Sequence, residues 1–407
     1  MKNTIKLAVV AALAFSATSV FATNGSTMLG MGAKTRGMGG VGIGMSHGAE
    51  SVLANPSLIT SVKSNEISFG GTIFMPDVES TNDMAPGGST PTKGTSTADM
   101  FVIPAISLVT KINDNFYTGV GMWGTGGLGV DFRNTTSGYH MNMVTALSLM
   151  QFGVPLAFKT AGFSAAITPL IQYGTLDINY DTNATNHVGS GVGSDLSFGY
   201  TLGLSYETSG LTVGAVYKSE IEMKYDGVLS TAVQGFGVAS YTNDTLSSPA
   251  EIGLGASYAL GKHTIALDYK VIQWSDAAGY KDFGWEDQDV IAVGYEYASD
   301  AWAIRAGYSK ADSAVQDNNG KNLAIDVAAN GGAGGNLTNT FNILGFPGNI
   351  EEHYTIGGTI NATEAVSVDL AYVYAPENTS TFKNVANNNA TVKHSETSYS
   401  VQLNVAF

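Results

Sequence analysis

From Tyr399 to Phe407 the chain reads Y-S-V-Q-L-N-V-A-F, and this alternation narrows the possible folds more than any other feature. Tyr399, Val401, Leu403, Val405 and Phe407 share one face, while Ser400, Gln402 and Asn404 share the other. A period of two belongs to a β-strand whose faces meet different surroundings, one apolar and one polar. The pattern recurs. Ile265, Leu267, Tyr269 and Val271 oppose Asp268 and Lys270; Trp302, Ile304 and Tyr308 oppose Arg305 and Ser309. Val366, Val368, Leu370, Tyr372 and Tyr374 oppose Ser367 and Asp369. In a soluble sandwich the apolar face packs on a second sheet; in a membrane barrel it faces lipid.

Strand length and loop spacing separate these two. Fourteen strands are expected, near 65–75, 98–111, 115–130, 141–159, 162–180, 194–207, 211–226, 248–260, 262–274, 288–298, 301–310, 351–361, 364–375 and 395–407. Most exceed the about 5–6 residues usual in soluble proteins. Short turns at Asn113-Asp114, Ala161, Ser209-Gly210, Gly261, Ser299-Asp300 and Ala362-Thr363 alternate with long polar stretches at 76–97, 131–140, 181–193, 227–247, 275–287, 311–350 and 376–394. Tight turns on one rim and long loops on the other are the habit of an outer-membrane barrel. An even strand number also returns the C-terminus to the short-turn side. The expected class is all-β: a transmembrane antiparallel barrel of about 14 strands over 65–407.

The N-terminus agrees. Lys2 and Lys6 precede an uncharged apolar run from Leu7 to Phe15, and Val20-Phe21-Ala22 offers a cleavage site. This is the anatomy of a secretory signal peptide over residues 1–22. A run so short cannot cross a hydrocarbon core that needs about 20 residues. Without Lys2 and Lys6, 17 of the 19 basic side chains remain against 34 acidic ones, a formal charge of −17. Such a balance argues against nucleic-acid partners. The absence of cysteine removes disulfides and thiolate metal sites. No apolar run after residue 22 approaches the length of a spanning helix.

Thr23 to Ser64 does not read as strand. Glycines at 25, 30, 32, 37, 39, 40, 42, 44 and 48 are mixed with Met, Leu and Val, too apolar a composition for a disordered tail. Packing inside the barrel as a plug suits it, with Gly37, Gly39 and Gly40 allowing close backbone approach. A short helix is expected at Ala49 to Ala54, ended by Asn55-Pro56.

The G-A-x-x-R-G-M-G-G-V stretch at Gly32 to Val41 followed by N-P-S-L-I-T at Asn55 to Thr60 resembles the N-terminal region of FadL/TodX-type outer-membrane transporters. P-A-E-I-G-L-G at Pro249 to Gly255, F-P-G-N-I-E-E-H-Y-T-I-G-G at Phe346 to Gly358 and the terminal Phe407 are similar too. The resemblance implies a fourteen-stranded barrel plugged by an N-terminal hatch, in the outer membrane of a Gram-negative bacterium. It implies passive uptake of long-chain fatty acids or hydrocarbons, a non-enzymatic role, and no cofactor. The partners expected are a hydrophobic small molecule and outer-membrane lipid, with the protein acting as a monomer. It further implies a lateral exit at an inward kink in the third strand, here Gly121, Trp123, Gly124, Gly126, Gly127 and Gly129. Glycine weakens a strand and suits a bulge, although glycine is common throughout this chain.

One departure bears on the substrate. The family's fatty-acid pocket uses basic side chains on the fifth strand and near the start of the tenth. Here Gln172 to Leu176 holds no basic residue, and Trp285 to Asp287 offers Glu286. A carboxylate buried without a cation is costly, so a substrate without a carboxylate is expected. The 181–193 loop is short for the family's capture groove, which leaves Val228, Leu229, Val233 and Phe236 to capture substrate or merely to cover the barrel.

Other chemistry is set aside. Gly44-Met45-Ser46-His47-Gly48 matches G-x-S-x-G without the flanking strand and helix of a nucleophile elbow. Gly124-x-Gly126-x-x-Gly129 lacks the βαβ unit of a dinucleotide site. The six histidines show no ligand spacing, and Asp312 to Asp326 lacks a calcium-loop pattern and reads as solvated charge. Competing roles are a general diffusion porin, which predicts no plug, and a surface adhesin or structural barrel, indifferent to loss of 23–64.

Overall fold

The computed structural model describes residues 24–135, 138–326 and 335–407. The signal peptide expected at 1–22 lies outside them. Fourteen strands form one closed antiparallel barrel, each paired with its sequence neighbour and the last with the first. They are β1 (Glu66–Asn82), β2 (Phe101–Lys111), β3 (Phe116–Asp131), β4 (Val144–Gly153 continued by Leu156–Thr160), β5 (Phe163–Asn183), β6 (Gly193–Thr208) and β7 (Leu211–Lys218). The second half comprises β8 (Glu251–Leu260), β9 (His263–Ile272), β10 (Gln288–Ala298), β11 (Trp302–Ala311), β12 (Glu352–Asn361), β13 (Val366–Lys383) and β14 (Asn389–Ala406). Pro155 interrupts β4 without ending it, because both halves pair with β3 and β5. Short pieces at Thr92–Thr95 and Asn186–Val188 lengthen the β1–β2 and β5–β6 hairpins.

The burial pattern is that of a soluble protein turned inside out. On β14, Tyr399, Val401 and Leu403 are 50%, 54% and 42% exposed, whereas Ser400, Gln402 and Asn404 are 3%, 1% and 5% exposed. The same inversion runs along β6, where Leu196, Phe198, Tyr200, Leu202 and Leu204 all face outward. An outward Leu or Phe gains roughly 1.5–3 kcal/mol on leaving water, so this exterior is stable only against acyl chains. No helix among the described residues is long and apolar enough to cross a membrane. Closure pairs each strand with both neighbours along most of its length, as a hydrocarbon medium demands.

Turn chemistry follows the expected segregation. Ala161-Gly162 and Ser209-Gly210 have positive φ at both residues, the mirror-image turn that suits the right-handed twist of a two-residue hairpin. On the opposite rim β1, β13 and β14 run further than their alternation suggested: 76–82, 376–383 and 389–394 are strand, not loop. Above the lipid both faces of a hairpin are polar, so the amphipathic signal vanishes while the backbone pairing continues. The seventh strand is shorter than expected, ending at Lys218, after which the chain crosses the barrel mouth.

Candidate functional site

Residues 24–64 occupy the lumen as a hatch built from a short helix α1 (Ala33–Gly37) and two 3-10 turns, Gly48–Leu53 and Pro56–Ser61. Asn55 caps the second turn rather than merely ending the first. Its side-chain oxygen accepts from the Ser57 amide at 3.1 Å, and Pro56 supplies a first position that needs no donor. The Asn55 amide meanwhile donates to the carbonyls of Ile43, Leu204 and Ala215, joining hatch to β6 and β7. Gly37 packs on Gly357 of β12, while Gly39 and Gly40 adopt φ of +73° and +90°. The Gly39 amide donates to Thr355 Oγ1 at 2.9 Å. Ala33 N donates to Gln402 Oε1 at 2.8 Å, and Arg36 Nη2 to Ser398 Oγ at 2.6 Å. The lumen is therefore blocked by a plug bonded to its wall, unlike a general porin.

The wall is not continuous between β2 and β3. Their ladder runs only from Lys111–Tyr117 to Ala105–Trp123, yet both strands go on. Beyond that rung Phe101 to Pro104 pair with β1, and Gly124 to Asp131 pair with β4. The two edges meet again where the Thr97 amide donates to the Asp131 carbonyl at 2.9 Å. Between these rungs lies a gap in the ladder. At its level the β3–β4 register slips between Gly124 and Gly126, leaving Thr125 as the extra residue of a bulge. Residues 123–130 lose the in-out alternation and are nearly all buried, as an inward bend requires.

A free strand edge has unpaired amides and carbonyls, which lipid cannot satisfy. Here the hatch takes the place of β2: Gly127 N donates to Ser26 O at 2.9 Å, and Met28 N to Thr125 O at 3.2 Å. A side chain at Gly126 would run into the Ser26 carbonyl oxygen, so the close approach requires glycine. Gly121 lies against Trp123, Val52 and Leu53, whereas Gly129 lies against the Thr145 carbonyl of β4.

Above the hatch is a buried aromatic cluster that the sequence did not disclose. Trp274, Tyr280 and Trp285 have mutual ring centroid distances of 4.6, 5.0 and 4.7 Å. Gly25 of the hatch lies against both tryptophans, and Ser26 Oγ is 3.0 Å from Tyr280 Oη. Tyr180, Phe236, Phe283 and Phe341 continue the cluster across the mouth. The segment expected to capture substrate forms α2 (Val228–Gln234), with Val228, Leu229 and Val233 buried and Phe236 stacked 4.9 Å from Tyr180. Val228, Leu229 and Val233 pack into the barrel mouth, while Phe236 stays half-buried. A helix α3 (Asn336–Leu344) completes the roof; Asp326 accepts from Leu337 N and Thr338 N at its start. Asp326 is thus a buried cap, not the solvated loop charge expected from the acidic run around it.

Much of the charge inside the lumen is paired, although buried Arg36 and Glu50 of the hatch have no ion-pair partner among the described residues. Lys34 lies 3.7 Å from Asp369, Lys218 and Lys270 lie 3.1 and 3.8 Å from Glu251, and Arg305 lies 2.7 Å from Glu296. On β5, Gln172 is buried between Gln151 at 2.9 Å and Ser248, a neutral network. Glu286 is exposed and paired with Lys321 at 2.8 Å, so it stands outside the pocket that its place in the sequence suggested. His353 faces the lumen, 3.8 Å from Glu396. Ser46 and His47 hold the hatch together, His47 Nε2 lying 2.8 Å from the Val41 carbonyl, and form no triad. Gly124 to Gly129 lie within a strand and not at the start of a helix.

A family model described as "Outer membrane protein transport protein (OMPP1/FadL/TodX)" matches residues 7–326. A 47 kDa outer membrane protein of Pasteurella multocida (strain Pm70) is 22% identical over 397 residues, covering 84% of this chain and 86% of that one. Among solved structures, a Pseudomonas aeruginosa FadL homologue superposes with a TM-score of 0.70 at 14% identity, covering 94% of this chain and 100% of its own. The P. putida toluene transporter TodX gives 0.64 at 15% identity, covering 93% and 99%.

Proposed function

Because the chain belongs to the outer membrane protein transport family (OMPP1/FadL/TodX), we propose that it is a passive outer-membrane channel for neutral hydrophobic compounds, aromatic hydrocarbons above all, which leave sideways through the β2–β3 window. The observation that carries this reading is a barrel whose axial route is stoppered while its wall ladder stops at Ala105–Trp123. An apolar solute gains about 25 cal/mol per Å² on entering hydrocarbon and loses it again in a wet pore. A side exit into the bilayer therefore needs no energy source beyond partition.

The charge pattern favours a substrate without a carboxylate. A fatty-acid head group needs an accessible cation, whereas Lys34, Lys218, Lys270 and Arg305 each have a carboxylate within 4 Å; Arg36, which has none among the described residues, is buried and bonded to Gly30 O and Ser398 Oγ. Gln172 sets amide and hydroxyl partners at the fifth-strand position instead. The aromatic cluster of Trp274, Tyr280 and Trp285 offers ring faces and edges suited to flat apolar guests. Gly25 and Ser26 occupy it at rest, so guest entry displaces the start of the hatch.

The test is uptake into cells producing the protein, comparing a labelled monoaromatic hydrocarbon with a labelled long-chain carboxylate. The reading expects faster hydrocarbon uptake than in cells lacking the protein, and no gain for the carboxylate. Equal stimulation of both overturns the substrate assignment. No stimulation of either, at normal levels of folded barrel, overturns the transport reading.

A further inference from the structure

Segment 42–44 of the hatch is held through both its amides and its carbonyls. The Asp268 carboxylate, projecting inward from β9, accepts the Gly42 amide at 2.7 Å, the Ile43 amide at 2.8 Å and the Gly44 amide at 3.4 Å. The outward carbonyls of the same segment are taken up as well. Ile43 O accepts from Asn55 Nδ2 at 2.8 Å, and Gly44 O from Ser257 Oγ at 2.7 Å. Gly44 lies directly on the β8 backbone at Gly255 and Ala256, a contact that a side chain on either glycine would obstruct. Three consecutive amides turned toward one carboxylate make an anion nest formed by the hatch and filled by the wall. Charge-assisted bonds of this kind are about twice as strong as neutral ones. A cavity of about 50 Å³ borders Gly42, Ile43, Asp268 and Lys270, so a loosened segment has space to move into.

We propose that Asp268 is a positioning residue for transport: it anchors the hatch at 42–44, so that displacement of the plug is confined to residues 24–29 and the β3 flank. The anchor itself is independent of which molecule is carried. Its consequence for the route rests on the window reading above. On that flank the hatch touches β3 through two backbone bonds and the apolar contacts of Val52 and Leu53, with no ionised side chain. Lys270, two residues along β9, faces the same lumen and is paired with Glu251. Charge on Asp268 and its hydrogen-bond geometry must therefore be tested separately.

The chain has no cysteine, so a single Met45→Cys, buried beside the anchor, reports its opening through the rate of maleimide labelling of folded, heat-modifiable protein. Asp268→Ala orphans three amides and is expected to raise that rate at least tenfold and to add a leak for small hydrophilic solutes in liposomes. Asp268→Asn keeps one oxygen where Asp268 Oδ2 takes the two short bonds; it is expected to stay within threefold of the parent. Should Asp268→Ala fail to fold, Ser257→Ala removes the Gly44 carbonyl's donor and is expected to raise labelling at least threefold. Labelling unchanged in a folded Asp268→Ala or, in its absence, a folded Ser257→Ala overturns the proposal. So does an Asn variant as open as the Ala variant, which assigns the effect to charge balance with Lys270. Labelling that rises while uptake and leak stay at the parent's values also overturns it, since the anchor then has no part in transport.

Discussion

The two flanks of the hatch are built on different physics. Toward β8–β14 it is bonded through side chains: Asp268 to three amides, Asp369 to Lys34, Gln402 to Ala33 and Ser398 to Arg36. Toward β3 it offers the Ser26 and Met28 backbone and the apolar side chains of Val52 and Leu53, meeting a strand that has parted from its neighbour. Breaking the first set strands buried polar groups at about 1–3 kcal/mol each. Breaking the second exchanges backbone bonds that β2 is placed to supply, and exposes apolar surface to an apolar guest. The proposed passive channel needs a plug with one side that stays and one that yields, and the difference between the flanks is suited to both.

The largest effect is expected at the yielding flank. Gly126→Val sets a branched side chain against Ser26 O and is expected to cut hydrocarbon uptake at least tenfold with normal barrel yield, as read by uptake per folded molecule. If uptake survives, the hatch–β3 contact has no bearing on passage. Next comes the exterior. Val401→Lys, on the outward face of β14, is expected to cost about 2–4 kcal/mol near the bilayer midplane, seen as a lower urea midpoint in vesicles, while Ser400→Ala on the lumen face shifts it far less. Equal shifts would contradict the assignment of faces. On the fixed flank, Asn55→Ala removes a cap and three carbonyl partners. Loss of such a cap costs about 0.5–2 kcal/mol, so amide exchange across 42–58 is expected to quicken several-fold or more, with exchange in β11–β13 unchanged.

The smallest effect is a pH slope. Burial pushes the Glu50 carboxyl, in the hatch, up to about 8, against the opposing pull of Lys34. A carboxyl whose folded value lies above its unfolded one adds stability in full below the unfolded value, near 4.5, and loses it as pH climbs through the folded value. Docking of the hatch is therefore expected to weaken between pH 5 and pH 8 (roughly, since burial sets the window), measured as faster labelling of Met45→Cys. Glu50→Gln flattens that slope. A slope that persists in Glu50→Gln belongs to another group.

Alternation made most of this barrel legible, because lipid and lumen impose opposite demands on successive residues. It failed where those demands cease. The polar extensions of β1, β13 and β14 look like loops, and the chain after Lys218 keeps apolar residues to roof the barrel rather than to face lipid. The Asn55-Pro56 pair and the glycines of the third strand drew attention through the family resemblance; Asn55 bonds the hatch to β6 and β7, Gly124 and Gly126 flank a register slip beyond the last β2–β3 rung, and Gly121 lies within that ladder. The role of Asp268 was not readable in the same way. Its partners are backbone amides of residues 42–44, which carry no side-chain signature, and its sequence neighbours show only an inward polar position. The aromatic cluster escaped for a related reason: Trp274 and Trp285 lie in irregular chain and Tyr280 opens a single 3-10 turn, too short for any period to announce a shared face.

The lateral window is tested most directly with a small aromatic hydrocarbon bearing a photoreactive diazirine, irradiated during uptake and mapped on the protein by mass spectrometry. Adducts concentrated at Val102, Ile103, Pro104, Trp123 and Thr125, on either side of the point where the β2–β3 ladder stops, are the predicted result. Adducts absent there and found instead along the lumen beneath the hatch would mean an axial route, and would contradict passage through the wall.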